Sequence, residues 1–367
     1  MWAPFLETLL VAVAGGFVFQ LIHFPLPWML GPLLFVLVWT QVLKHKTWWH
    51  VNIRNFALVI LGYTIGNSFS PAAGGQILRQ LPSMLICTIA TVFASLLIAF
   101  IISRKTGVSL STSIIGSIPG GLPQMVTLSE EVEGTDISNV IFMQTMRVLS
   151  VVFFVPFLVI HRVAGSVASG NAAGGTGLEW NLAAVNPGTF IVYLVVVLSV
   201  VYFSVRVKVP TPFLTGPILG VALLNMLGGG TGPEMPRLVI IGSQLSMGVF
   251  MGQSIQITSL SNWKQMLTYT LAGSFSLVFF SLGLGELLSR FHSIELVSAF
   301  LGTAPGGVAE MGLTAIQVHA DLSLVSSYQI FRVFFTIFVV PPLLKRFLKK
   351  MPLKKEDEDS IKYNISH

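Results

Sequence analysis

Gly116-Ser-Ile-Pro-Gly-Gly-Leu-Pro-Gln-Met125 recurs 186 residues later as Gly302-Thr-Ala-Pro-Gly-Gly-Val-Ala-Glu-Met311. Each copy interrupts an apolar run with a proline, which lacks a backbone donor, and with two conformationally permissive glycines. A helix cannot continue normally through such a stretch. The duplication extends outward from these breaks. Pro25-Leu-Pro-Trp-Met-Leu-Gly-Pro32 matches Pro210-Thr-Pro-Phe-Leu-Thr-Gly-Pro217 at an offset of 185. Gly62 and Gly66 match Gly248 and Gly252 at 186, and Asp136, Gln144, Arg147 and Pro156 match Asp321, Gln329, Arg332 and Pro341 at 185. Landmarks in one order at one spacing establish two copies of one unit.

The composition sets the solvent. Hydrophobic residues make up 53% of the 367 and charged residues only 10%, with a mean hydropathy of +0.79. Soluble domains carry about 25% charged residues, and a fold this poor in charge would present an almost wholly apolar surface to water. The expected class is an all-α integral membrane protein with two homologous repeats of five or six helices, 10 to 12 spans in all. Residues 1–162 form the first repeat, 163–187 a Gly/Ala-rich linker, 188–345 the second repeat and 346–367 a charged cytoplasmic tail. The N-terminus has neither a basic segment nor a small-residue cleavage site, and reads as a first span rather than a signal peptide. Lone Cys87, inside an apolar run, excludes a disulfide framework.

Span number decides how the halves are related. Six spans per half make the repeats parallel; five, with the fifth stretch only dipping in, make them inverted. The positive-inside rule does not choose. Twelve spans put Lys44, Lys46, Arg54, Arg104, Lys105, Arg162, Arg237 and Arg290 inside and Arg79, Arg206, Lys208 and Lys264 outside. Ten spans exchange Arg162, Arg237 and Arg290 for Arg206, Lys208 and Lys264, and the score is unchanged. Both schemes place the N-terminus and the basic C-terminal tail in the cytoplasm.

The paired breaks, Pro119-Gly120-Gly121 and Pro305-Gly306-Gly307, are the candidate site. Irregular backbone at membrane depth survives where it is buried in protein or lines a wet cavity, and secondary transporters bind solute at such matched breaks. A pair of packing kinks is the plainer alternative. Arg147 and Arg332 fall near the middle of their spans, where an arginine costs about 2.5–3.5 kcal/mol and needs an interior partner. Glu310 is the single acidic residue in the two breaks, with Gln124 as its counterpart. Two arginines against one carboxylate, beside half-helix N-termini, suit an anionic solute, with Glu310 carrying a proton. The alternative is a structural Arg–Glu pair. Gln144 and Gln329, one turn before each arginine, either bind the solute or bridge helices. Asp136 and Asp321 read as N-caps, and the Gly-x-x-x-Gly pairs as close helix packing. The seven histidines form no metal motif.

The repeated Pro-x-Pro with its following Gly-Pro, the Pro-Gly-Gly break ending in Gln124-Met125 or Glu310-Met311, and the late Gln-x-x-Arg resemble the bacterial AbrB-type membrane protein family. The resemblance runs from about residue 5 to 345. It implies a duplicated membrane region in the bacterial plasma (inner) membrane, under family labels of regulator of gene expression and sometimes ammonia monooxygenase. Residues of the first break, Ile118, Pro123 and Gln124, depart from the more specific second copy, so a proton role at Glu310 would belong to one half.

The reading that follows is a secondary transporter of a small anionic or polar solute, and not an enzyme. It expects no cofactor, no metal and no nucleic-acid partner; its partners are the lipid bilayer and a small-molecule solute, with room for a homo-oligomer. The alternative is a membrane-embedded regulator or sensor that affects gene expression indirectly, without binding DNA.

Overall fold

The computed structural model describes residues 2–132, 134–160, 187–228, 230–255 and 263–348. Among them all regular structure is helical. The first half holds α1 (Trp2–Leu21), α2 (Pro27–Gln41), α3 (Val51–Gly66), α4 (Pro71–Thr106), α5 (Leu110–Ser117), α6 (Leu122–Glu131) and α7 (Ile137–Leu158). The second holds α8 (Pro187–Arg206), α9 (Pro212–Gly228), α10 (Arg237–Ser254), α11 (Trp263–His292), α12 (Leu296–Thr303), α13 (Val308–Gln317), α14 (Leu322–Phe338) and α15 (Val340–Leu348). The expected linker, up to Asn186, and the tail beyond Leu348 lie outside the described residues.

Six described helices are long and apolar enough to cross a membrane, and three more apolar helices of 15 to 17 residues accompany them. Outward faces stay apolar: Leu10, Phe17, Phe93, Leu198 and Phe203 are all exposed. Water would drive such faces to aggregate, whereas lipid tails match them. The α4 helix begins ahead of its apolar run, and its first turns carry Gln76, Arg79 and Gln80. At 36 residues it is about 54 Å long, well beyond a hydrocarbon core of about 30 Å.

The fifth stretch of each half is two short helices joined at the Pro-Gly-Gly break. Eight residues of α5 reach only about 12 Å, too short to cross. Contacts at its ends show where it goes. The Ser109 hydroxyl donates to the Gly134 carbonyl at 2.8 Å, and the Asp136 N–H donates to the Thr112 hydroxyl at 2.8 Å. The chain therefore enters α5 and leaves α6 at one end of the bundle. In the second half the Asp321 N–H donates to the Ser298 hydroxyl at 2.9 Å, closing the α12–α13 hairpin in the same way. Asp136 and Asp321 also cap α7 and α14, accepting from Ser138 and Asn139 and from Leu324.

The two hairpins enter from opposite ends. Thr8 meets the Trp48 N–H, Arg54 lies over Phe250, the Gln265 side chain donates to the Lys105 carbonyl, and Lys345 pairs with Glu131 at the tip-distal end of α6. These contacts define a first end, which holds the start of α1, the base of the α5–α6 hairpin and α15. Ser83 meets His292, Asn67 meets the Gly232 carbonyl, and the Leu26 N–H donates to Gln317 at the base of the α12–α13 hairpin. These define the far end.

Left-handed backbone recurs with the repeat. His23 and Lys208, Leu26 and Thr211, Gly107 and Ser293, and Gly134 and His319 all have positive φ, at the same 185–186 offset. Leu26 and Thr211, between the prolines of each Pro-x-Pro, both stand at φ 45°.

The helices sort into two groups. A row of six runs α1, α2, α10, α3, α9, α8, each packed on the next. Its close joints between the halves are the Gly-x-x-x-Gly pairs: Gly62 and Gly66 lie on the Leu214 and Ile218 carbonyls of α9, and Gly248 and Gly252 on the Met29 and Leu33 carbonyls of α2. Each half's glycines thus dock on the other half's helix. The second group gathers α4, α7, α11, α14 and both hairpins, with α4 against α11, α11 against α7, and α14 against α4. The seam between the groups is largely apolar, with Phe24 beside Phe153 (ring centroids 6.3 Å apart) and Ile65 over Gly312.

Candidate functional site

The break leaves the last carbonyls of α5 and α12 without intrahelical partners, and side chains of α7 and α14 take them up. Gln144 Nε2 donates to the Ile115 and Ile118 carbonyls at 2.8 and 3.0 Å. Arg147 Nη1 donates to Ile118 at 2.7 Å and reaches Ser117 at 3.4 Å. The second half repeats the pattern on equivalent atoms. Gln329 Nε2 donates to Leu301, Gly302 and Ala304 at 2.7, 3.2 and 3.0 Å. Arg332 holds the Ala304 and Gly306 carbonyls and the Gln329 side-chain oxygen. A helix C-terminus carries roughly −0.5 of a charge, so each guanidinium is placed where it is partly neutralised.

Neither arginine is ion-paired with Glu310; the ion pairs found among the described residues, His45–Glu7, Arg290–Glu286 and Lys345–Glu131, lie at partly exposed positions. Glu310 and Gln124 instead sit in the first turns of α13 and α6, folded back over Gly307 and Gly121. A Cβ on either glycine would run into that side-chain oxygen. Such a turn keeps the third side chain over its own cap, as in half of a capping box. Pro119 and Pro305 are buried at the tips, while Gly120, Gly121, Gly306 and Gly307 are half-buried. The twelve residues singled out from the sequence therefore fall into two equivalent sets, one at each hairpin tip.

Two small cavities adjoin the tips. One, about 20 Å³, is lined by Gly116, Ser117 and Arg147 together with Gly273, Ser274 and Leu277 of α11. The other, about 10 Å³, is lined by Gly302, Thr303 and Arg332 together with Cys87, Thr88 and Thr91 of α4. Each of these six residues of the first lining has its repeat counterpart in the second, so each cavity lies between a hairpin tip and the long helix of the opposite half, while α5 and α12 themselves pack chiefly on α4 and α11 of their own halves. A water needs roughly 10–15 Å³. The interior is closely packed, and no organic solute fits either space as it stands.

Against known proteins, the chain matches the family model described as "Transition state regulatory protein AbrB" over residues 28–348. The chain belongs to the AbrB family. Similar relatives in this family span nearly the same length. YhjN of Bacillus subtilis (strain 168) is 27% identical over 374 residues, covering 95% of this chain and 94% of its own. "Putative regulator AbrB" of Escherichia coli (strain K12) is 25% identical over 343 residues, covering 92% and 94%. The alignment with each thus runs over nearly the whole of this AbrB-family chain.

Sequence reasoning overlooked Ser117 and Thr270, which line the larger cavity and whose hydroxyls have no hydrogen-bond partner among the described residues. Ser117 carried a faint signal, since Thr303 repeats its hydroxyl at the same point of the break. Thr270 carried none, because Met84 occupies the equivalent position.

Proposed function

We propose that this AbrB-family protein is a secondary transporter of a small anion in the bacterial plasma membrane. The observation that carries it is the pair of hairpins. They enter from opposite ends and bring two broken-helix tips to two buried arginines that have no ion-paired carboxylate among the described residues. Matched discontinuous helices in inverted halves are the architecture in which solutes bind near the midplane.

In this reading the chain crosses ten times, five crossings in each of two inverted halves, with both termini cytoplasmic. The first end then carries Lys44, Lys46, Arg54, Arg104, Lys105, Arg206, Lys208 and Lys264, which agrees with positive-inside bias. The hairpin group moves against the six-helix row along their apolar seam, opening the tips alternately to each side. The tight interior is then a closed state, and it restricts the solute to a small one unless the groups part. Arg147 and Arg332 supply positive charge, and Glu310 carries a coupled proton.

The test is flux into proteoliposomes from a panel of inorganic and small organic anions, alongside labelling of single cysteines at Lys208→Cys and Glu234→Cys. Uptake that needs both arginines, with Lys208→Cys cytoplasmic and Glu234→Cys on the opposite side, is the expected result. Reversed labelling would remove the inverted arrangement. No flux for any anion would remove transport. The family description, the relative's name and the dry interior would then favour a membrane-embedded regulator, to be sought through a protein partner.

A further inference from the structure

The larger cavity contains an unexplained set of donors. Arg147, Ser117 and Thr270 all line it, and Arg147 Nε and the two hydroxyls have no hydrogen-bond partner among the described residues. The three residues are 5%, 8% and 4% exposed, and they come from α7, α5 and α11. Native interiors rarely leave buried polar groups unsatisfied, and a charged group left so is the costliest case.

Chemistry narrows what belongs there. Arg Nε–H can only donate, and both hydroxyls can turn to donate, so all three lack an acceptor. With no ion-paired carboxylate at either guanidinium among the described residues, an acceptor there gains from carrying negative charge in a medium of low dielectric constant. At about 20 Å³ the space admits one or two water-sized particles, which excludes carboxylates and phosphates.

We propose that this cavity is a binding site for a single halide-sized anion, held by Arg147 Nε–H and the hydroxyls of Ser117 and Thr270. The equivalent place in the second half is built otherwise. Thr303 is already engaged with the Ser281 carbonyl at 2.9 Å, Met84 stands where Thr270 does, and the space is about 10 Å³. The two halves therefore divide the work, with one tip binding an ion and the other locked by its own side chains. This refines the transport reading and rests on it for any part in turnover, whereas binding is measured separately.

The full-length protein in detergent, with chloride exchanged for gluconate at constant ionic strength, is titrated with sodium chloride or bromide while its melting temperature is followed. Saturable stabilisation by both halides is expected, with apparent affinity about tenfold weaker in Thr270→Val and in Ser117→Ala. Bromide should give an anomalous diffraction peak beside Arg147. Equal melting temperatures in chloride and gluconate, or equal stabilisation by sulfate, would overturn the site and leave a buried water there. Halide binding without any anion flux would keep the site and remove transport; flux without halide binding would do the reverse.

Discussion

Arg147 donates to the Ile118 carbonyl at 2.7 Å, fastening the middle of α7 to the broken end of α5. Arg332 makes the same bond to Ala304, 186 residues beyond Ile118, and adds Gly306 and Gln329. Both arginines are thus helix caps as well as buried charges, and their removal must be felt in stability before it is felt in function.

Arg147→Ala strips the cap from Ser117 and Ile118 and should lower stability by about 3 kcal/mol, since it frees buried carbonyls. Arg332→Ala, with more partners, should lower it further. Lysine, whose compact ammonium lacks the planar fork, should recover part of the loss at 147 and less at 332. Unfolding monitored in detergent ranks the four variants, and Arg147→Ala melting later than Arg147→Lys would remove the capping role.

The two arginines and the breaks were legible because rare residues carried them, each at the same offset from its copy. The direction of the halves was not. Loop charges divide eight to four under either span count, and the matter turns on where each hairpin returns. That is fixed by bonds such as Ser109 to Gly134 and Asp321 to Ser298, formed by common residues in turns without a distinctive pattern. Partners of the arginines were hidden for a related reason. The structural alternative read from the sequence paired them with Glu310, whereas the partners are backbone carbonyls, which every residue has. The α11 side of the larger cavity comes from the opposite half, over 120 residues from Arg147, and no local pattern announces it.

The glycine joints of the six-helix row can be tested by volume. A Cβ at Gly62 would lie 2.5 Å from the Leu214 carbonyl, and one at Gly252 2.6 Å from that of Leu33. Both neighbours are helix backbone and cannot yield cheaply. Gly62→Leu and Gly252→Leu should each cost at least about 1–3 kcal/mol. Gly283→Leu, which meets nothing within 4 Å, is the control and should stay near the wild-type melting temperature. Equal tolerance at all three positions would mean that these joints are looser than the geometry shows.

The left-handed positions offer a gain rather than a loss. Gly134 has φ 75° in the first half, but its counterpart His319 holds φ 54° with a side chain attached. Left-handed backbone costs roughly 1–2 kcal/mol for residues other than glycine, partly offset by the freedom that glycine restores to the unfolded chain. His319→Gly should therefore raise stability by about 0.5–1 kcal/mol. Gly134→His should lower it by a comparable amount. A melting temperature that falls in His319→Gly would mean that the imidazole contributes more than its backbone strain costs.

Glu310 can be separated from its structural duty because the repeat already contains the control. Gln124 holds the equivalent place, folded over Gly121 as Glu310 is over Gly307. The amide therefore fits the cap, and Glu310→Gln should change stability by less than about 1 kcal/mol. What the amide cannot do is exchange a proton. If Glu310 couples transport to protons, anion uptake driven by an imposed pH gradient should vanish in Glu310→Gln while exchange of labelled for unlabelled anion continues. Retained pH-driven uptake would take the proton role away from Glu310. A large loss of stability would instead make the carboxylate structural, in a way that Gln124 does not reproduce.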